Sequence, residues 1–153
     1  LPQLNVAPTT TEVATIKIDG FPLDSAAASW IFDPVTNKFS LTVNMNGINI
    51  PALNGFYTLQ SIETQTVNEV QTQVVVNSTY YFNEAGEMIT GWVKTADNKT
   101  YFFENAKTTK EGEMIVGWKQ IQNTWYYFNT DGSLLTNGTT PDGYIVGADG
   151  AML

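Results

Sequence analysis

The segment GWKQIQNTWYYFNTDGSLLT, residues 117–136, contains a Gly-Trp pair, a run of four aromatic residues at 125–128 and an Asp-Gly pair. Asp-Gly is a common hairpin turn, and an aromatic run beside such a turn is typical of a β-strand. Successive side chains of a strand point to opposite faces, so Trp125 and Tyr127 share one face while the ring after each of them lies on the other. One ring set can therefore fill an interior, and the other can line a groove between neighbouring hairpins.

The second half of the chain repeats this pattern. Aromatic triplets begin at Tyr80, Tyr101 and Tyr126, which are 21 and 25 residues apart, and each triplet is followed by a glycine and an apolar pair. Residues 143–153 form a shortened fourth unit. A unit of about 20 residues has room for one hairpin and cannot bury a hydrophobic face alone. We therefore expect residues 73–153 to form a solenoid of stacked β-hairpins.

The first half of the chain, residues 1–72, consists of strand-like runs separated by turn residues. Phe39, Leu41 and Val43 alternate with polar residues, as the side chains on one face of a strand do. We expect a small antiparallel β domain of unknown function here, so that the whole chain is all-β with two domains, 1–72 and 73–153. A short helix beginning in AAAS, residues 26–29, is an alternative to a strand at that point.

The composition excludes most catalytic and metal chemistry. The chain has no histidine and no cysteine, so the usual neutral-pH base, the thiolate nucleophile and the soft metal ligands are missing. We expect a non-enzymatic protein with no catalytic residue, no metal site and no cofactor. A net charge of -8 argues against nucleic acid as a partner.

The same composition bears on location. No apolar run approaches the roughly 18 residues that a membrane span needs. The chain begins at Leu1, which we interpret as the start of a mature or trimmed fragment. An acidic sequence rich in threonine and asparagine, without cysteine, fits a secreted bacterial surface protein better than a cytosolic enzyme.

The unit at 117–136 resembles the cell-wall-binding (choline-binding) repeats of Gram-positive surface proteins and autolysins. The shared pattern is Gly-Trp, a short hairpin, Trp-Tyr-Tyr-Phe-Asn, Asp-Gly, an apolar pair and Thr. The resemblance implies that choline of teichoic acid lies between consecutive hairpins, walled by two indoles and a third ring. A quaternary ammonium group cannot donate a hydrogen bond, so aromatic faces are suited to hold it. The ligand-binding residues that the resemblance implies are Trp118, Trp125 and Tyr144, with Met152 at the edge, for one cage, and Trp92 with Tyr127 for a second.

The sequence departs from the family pattern at several positions. Thr79 and Thr100 stand where the leading Trp is expected, Asn137-Gly138 replaces a third Gly-Trp, and residues 104–110 contain an insertion. Similar repeats in secreted glucosyltransferases and in clostridial toxins bind glycans and tolerate a different leading residue. A cell-wall or extracellular glycan is therefore the alternative ligand.

Two further interpretations stay open beside ligand binding. The indoles can be packing residues, in which case the repeats are a structural stalk that presents the first domain. Exposed repeat edges could also pair with a second copy of the chain and form a homodimer.

Overall fold

The computed structural model describes residues 12–18, 21–45 and 47–153. These residues form strands and turns, and no helix among them is long and apolar enough to cross a membrane. The strands are β1 (Glu12–Ile18), β2 (Phe21–Asp33), β3 (Lys38–Met45), β4 (Ile48–Pro51), β5 (Gly55–Val67), β6 (Val70–Phe82), β7 (Met88–Ile89), β8 (Gly91–Lys94), β9 (Thr100–Phe103), β10 (Gly117–Ile121), β11 (Thr124–Phe128), β12 (Gly138–Thr139) and β13 (Ile145–Val146). The predicted all-β class is confirmed.

The chain forms two compact units. The first contains the described residues up to Ile89 together with Ala106–Glu113, and the second contains Thr90–Asn105 and Met114–Leu153. The domain boundary at 72/73 stays a prediction.

The first unit is built on one antiparallel sheet with the strand order β4-β3-β2-β1-β5-β6-β7. Ala28 pairs with Val43 of β3 and with β1 on its other side, so the helix considered for residues 26–29 is wrong. The sheet pairs both edges of β2, and a helix would lose these backbone hydrogen bonds. The period-two pattern holds, because Phe39, Leu41 and Val43 are all buried. They belong to a core cluster formed by Ala28, Trp30, Phe39, Leu41, Val43, Ala52, Tyr57, Leu59, Tyr80, Phe82 and Met88.

The second unit contains the hairpins β8–β9, β10–β11 and β12–β13. Gln122 and Asn123, both with positive φ, join β10 to β11 in a two-residue turn. The other two hairpins close with five-residue turns at 95–99 and 140–144. In both of these, the first amide donates to the fifth carbonyl and the fourth amide donates to the first carbonyl. The chain therefore reverses at short intervals with its backbone groups paired.

The hairpins of this unit stack through equivalent side chains. Phe103, Phe128 and Val146 occupy the same register position, opposite Gly91, Gly117 and Gly138, and all three are fully buried. Gly132 approaches the stack so closely that a methyl group on it would overlap the Met114 sulfur, and its φ of +87° also favours glycine. The buried ring that ends each triplet is therefore a core residue, as the repeat pattern predicts.

Candidate ligand-binding site

Four side chains of the second unit line an open recess of about 340 Å³: Trp118, Trp125, Tyr144 and Met152. These are the four residues that the resemblance implies for the first cage, and the structure brings them together. Trp125, Tyr144 and Met152 are 41%, 52% and 37% exposed, so the recess is open to solvent. The indoles are therefore not sealed in the core of the stack.

Strand pairing places the two indoles side by side. Trp118 on β10 lies opposite Tyr127 on β11, and Trp125 lies two residues before Tyr127 on the same face. The Trp118 ring centroid is 6.3 Å from that of Trp125 and 5.3 Å from that of Tyr127. Trp118 thus contacts both rings that lie on this face of β11.

The terminal segment supplies the remaining walls. The Tyr144 ring stands at 89° to that of Trp118, with a centroid separation of 5.7 Å. The Met152 amide donates a hydrogen bond to the Trp125 carbonyl oxygen at 2.9 Å, which fixes the methionine at the edge of the recess. Three rings and a thioether therefore converge on one space.

An acidic side chain contacts this site at the edge of the Trp118 ring. The Trp118 indole N–H donates to the Asp142 carboxylate, with distances of 3.1 Å to Oδ2 and 3.4 Å to Oδ1. The Thr140 hydroxyl also donates to Asp142 at 2.7 Å. The Thr140 hydrogen bond lowers the pKa of the Asp142 carboxyl, and the indole N–H lowers it further, while desolvation opposes both. Asp142 precedes a glycine, which in the sequence indicates turn formation, and no local signal connects it with an indole 24 residues earlier.

The second predicted cage differs from its expected composition. Trp92 packs against Tyr126, with ring centroids 5.0 Å apart at 79°, whereas Tyr127 packs against Trp118. The prediction of Tyr127 beside Trp92 is therefore one residue off. A hairpin packs on the preceding hairpin with one face of its strands and on the following hairpin with the other face. Adjacent rings of β11 therefore contact different indoles.

The space beside Trp92 and Tyr126, here called the second notch, is equivalent in register and hydrogen bonding to the recess at Trp118. Thr100 takes the place of Trp125, since its carbonyl accepts the Leu134 amide at 2.7 Å as the Trp125 carbonyl accepts that of Met152. Trp92 is 43% exposed, so an indole face remains open here. The second notch thus has two aromatic walls in place of three.

Stacked hairpins with open indoles between them define the second unit as a β-hairpin repeat module. Family profiles described as choline-binding repeats match residues 71–116 and 117–152. These matches span more than half of the 153 residues, and the chain belongs to the choline-binding repeat family. Choline-binding repeats are cell-wall-binding modules, and the aromatic clusters fit this role, so the resemblance read from the sequence is confirmed.

Known proteins share this similarity over different lengths. A crystal structure of choline binding protein F from Streptococcus pneumoniae matches with a TM-score of 0.54 and 22% identity, over 95% of this chain and 40% of that one. The choline binding domain of Spr1274 from Streptococcus pneumoniae is 31% identical over 59% of this chain and 92% of that one, with a TM-score of 0.43. Glucosyltransferase-S of Streptococcus mutans serotype c is 35% identical over 74 residues, which are 46% of this chain and 5% of that protein. The chain therefore spans a small part of that enzyme's length and less than half of choline binding protein F.

Proposed function

We propose that the recess formed by Trp118, Trp125, Tyr144 and Met152 binds the choline head group of a teichoic acid, and that the chain is secreted and attaches to the cell wall in this way. The observation that carries the proposal is an open recess walled by three aromatic rings, two of which stand nearly perpendicular to the shared indole. A quaternary ammonium group is attracted to the negative faces of such rings.

The chemistry of the ligand matches the polarity of the walls. The trimethylammonium group of choline is bulky and cationic and has no N–H to donate, so a site needs ring faces and no specific acceptor. Each cation–π contact contributes about 0.5–2 kcal/mol. The thioether of Met152 adds a polarisable surface that adapts to the methyl groups.

Titration with choline, followed by tryptophan fluorescence and by calorimetry, tests the proposal. Trp125→Ala removes one wall, and we expect a loss of roughly 2- to 30-fold in affinity, the equivalent of one contact. Trp92→Ala is the matched control, because it removes an indole of similar exposure from the other notch. Unchanged choline affinity in folded Trp125→Ala, or equal losses in the two variants, would contradict the assignment.

A carbohydrate is the second candidate ligand, and the second notch favours it. Trp92 and Tyr126 form an open pair of rings, since Thr100 leaves the third side without an indole. Such a platform suits a sugar ring stacked on one aromatic face better than an enclosed cation. The similarity to glucosyltransferase-S agrees with this alternative.

Glucan oligosaccharides in the same titration separate the two ligands. Binding that Trp92→Ala abolishes and Trp125→Ala leaves intact would assign the second notch to glycan. No response to choline or glucan would support the structural stalk. The homodimer through repeat edges stays a prediction, which light scattering of the purified chain tests.

A further inference from the structure

We infer that Asp142 makes the recess selective for cations, by holding the Trp118 ring through its N–H and by placing a negative charge at the edge of that ring. This inference rests on the proposed function and extends it from an aromatic site to a charge-selective one.

A short chain of hydrogen bonds connects two walls of the recess through Asp142. The Tyr144 amide donates to the Thr140 hydroxyl at 2.9 Å, and that hydroxyl donates to the Asp142 carboxylate. The Trp118 N–H donates to the same carboxylate from the other side. The carboxylate therefore fixes the indole against the turn that carries Tyr144.

The hydrogen bond also changes the electrostatics of the indole. A donor N–H that faces a carboxylate is polarised, and electron density shifts into the ring. The ring face becomes a better partner for a cation, since cation–π attraction depends on the negative face of the ring. Asp142 is exposed, so water screens its charge, but no described residue forms an ion pair with it that would offset this charge beside the recess.

The second notch lacks this arrangement. The hairpin that follows Trp92 closes with Gln122 and Asn123, a neutral two-residue turn. The hairpin that follows Trp118 closes with the five-residue turn containing Asp142. The two notches thus differ in charge as well as in the number of indoles, and the acidic turn accompanies the three-ring recess.

A pair of ligands of equal shape tests the inference. Choline and its uncharged carbon analogue, 3,3-dimethylbutan-1-ol, are titrated into the wild-type chain, Asp142→Asn and Asp142→Ala. Asn keeps an acceptor for the Trp118 N–H and removes the charge. We expect Asp142→Asn to weaken choline binding about two- to five-fold, the scale of one exposed charge contact, and to leave the analogue unchanged. Asp142→Ala, which also removes the acceptor, should weaken both ligands.

Asp97→Asn is the matched control, because Asp97 accepts from Thr95 in the equivalent turn of β8–β9 and carries the same charge. It should leave the ratio of choline to analogue affinity at the wild-type value. The same ratio in Asp142→Asn as in wild type would overturn the inference while leaving choline binding intact. Failure of the wild-type chain to bind choline would instead refute the proposed function, and the inference with it.

Discussion

Thr100→Trp should complete a second cage. Thr100 stands at the position of Trp125, two residues before Phe102, which pairs with Trp92 across the hairpin, and the Trp92 ring packs on that of Tyr126. That pair is separated by 5.0 Å at 79°, close to the 5.7 Å and 89° of the first recess. The half-buried threonine lies at the edge of an open notch, so the larger side chain can extend toward solvent.

The expected gain follows from the number of walls. One additional indole face contributes about 0.5–2 kcal/mol to a bound cation, or roughly 2- to 30-fold in Kd. The new site should remain weaker than the first, since the neutral turn at Gln122 and Asn123 supplies no carboxylate. Calorimetry with choline should therefore show a stoichiometry that rises from one toward two, with a second, weaker phase.

A reciprocal variant controls for effects on folding. Trp125→Thr gives the first recess the composition of the second, and it should lose the tighter phase. Combining the two substitutions should leave one site, now at the second notch. If Thr100→Trp keeps the wild-type unfolding temperature and still binds one choline, then the number of aromatic walls does not determine binding and the reasoning fails.

Three further predictions concern stability. Gly132→Ala should lower the free energy of unfolding in urea by about 2–4 kcal/mol, because the new methyl group meets Met114 and the φ is strained for alanine. Gly143→Ala has a similarly positive φ but nothing within 4 Å, so it should cost only about 1–2 kcal/mol. Equal losses in the two variants would contradict the role of the Met114 contact. Phe128→Ala should cost about 3–5 kcal/mol in the same assay, since the ring is fully buried, and a loss below 1 kcal/mol would show that the stack does not depend on it. Hydrogen bonds from the Ser133 hydroxyl and amide lower the pKa of Asp131. The carboxylate therefore stabilises the fold at pH values above its ordinary pKa near 4, and this contribution is lost as pH falls through the lowered pKa. The unfolding temperature should decline less steeply between pH 7 and 2.5 for Asp131→Asn than for the wild type.

The residues of the first recess were expected from the resemblance to choline-binding repeats, and local pattern explains why the structure brings them together. Trp118 and Trp125 lie within one hairpin, so period-two alternation and the hairpin pairing are enough to place them on the same side. Tyr144 and Met152 follow from the repeat, which puts the next unit beside the last one. These relations need no knowledge of how strands outside the unit pair.

The partner of Trp92 required information that alternation does not contain. Tyr126 and Tyr127 are adjacent rings on opposite faces of β11, and the sequence does not state which face meets the preceding hairpin. The register of the two units identifies the face. Tyr126 lies two residues before the buried Phe128, and Tyr144 lies two residues before the buried Val146, so Tyr126 and Tyr144 are equivalent. A comparison of the terminal unit with the third triplet carries the signal that could have identified Tyr126.

Asp142 lay beyond sequence reasoning for a different reason. Aspartate before glycine is accounted for by turn formation, and its contact with Trp118 depends on how two hairpins stack.

The arrangement of the two notches also bears on how strongly one chain can hold a wall polymer. Three cation–π contacts of about 0.5–2 kcal/mol each total roughly 1.5–6 kcal/mol. Binding costs of about 4 kcal/mol or more must be subtracted, and 1 mM corresponds to about -4.1 kcal/mol, so one cage should bind choline no more tightly than the millimolar range. Firm attachment therefore requires several cages on one polymer, whose effective concentration multiplies the separate affinities. Retention on a choline-bearing support should consequently increase more than the solution affinity does when Thr100→Trp adds a cage. Equal changes in retention and in solution affinity would show that the two notches cannot engage one support together.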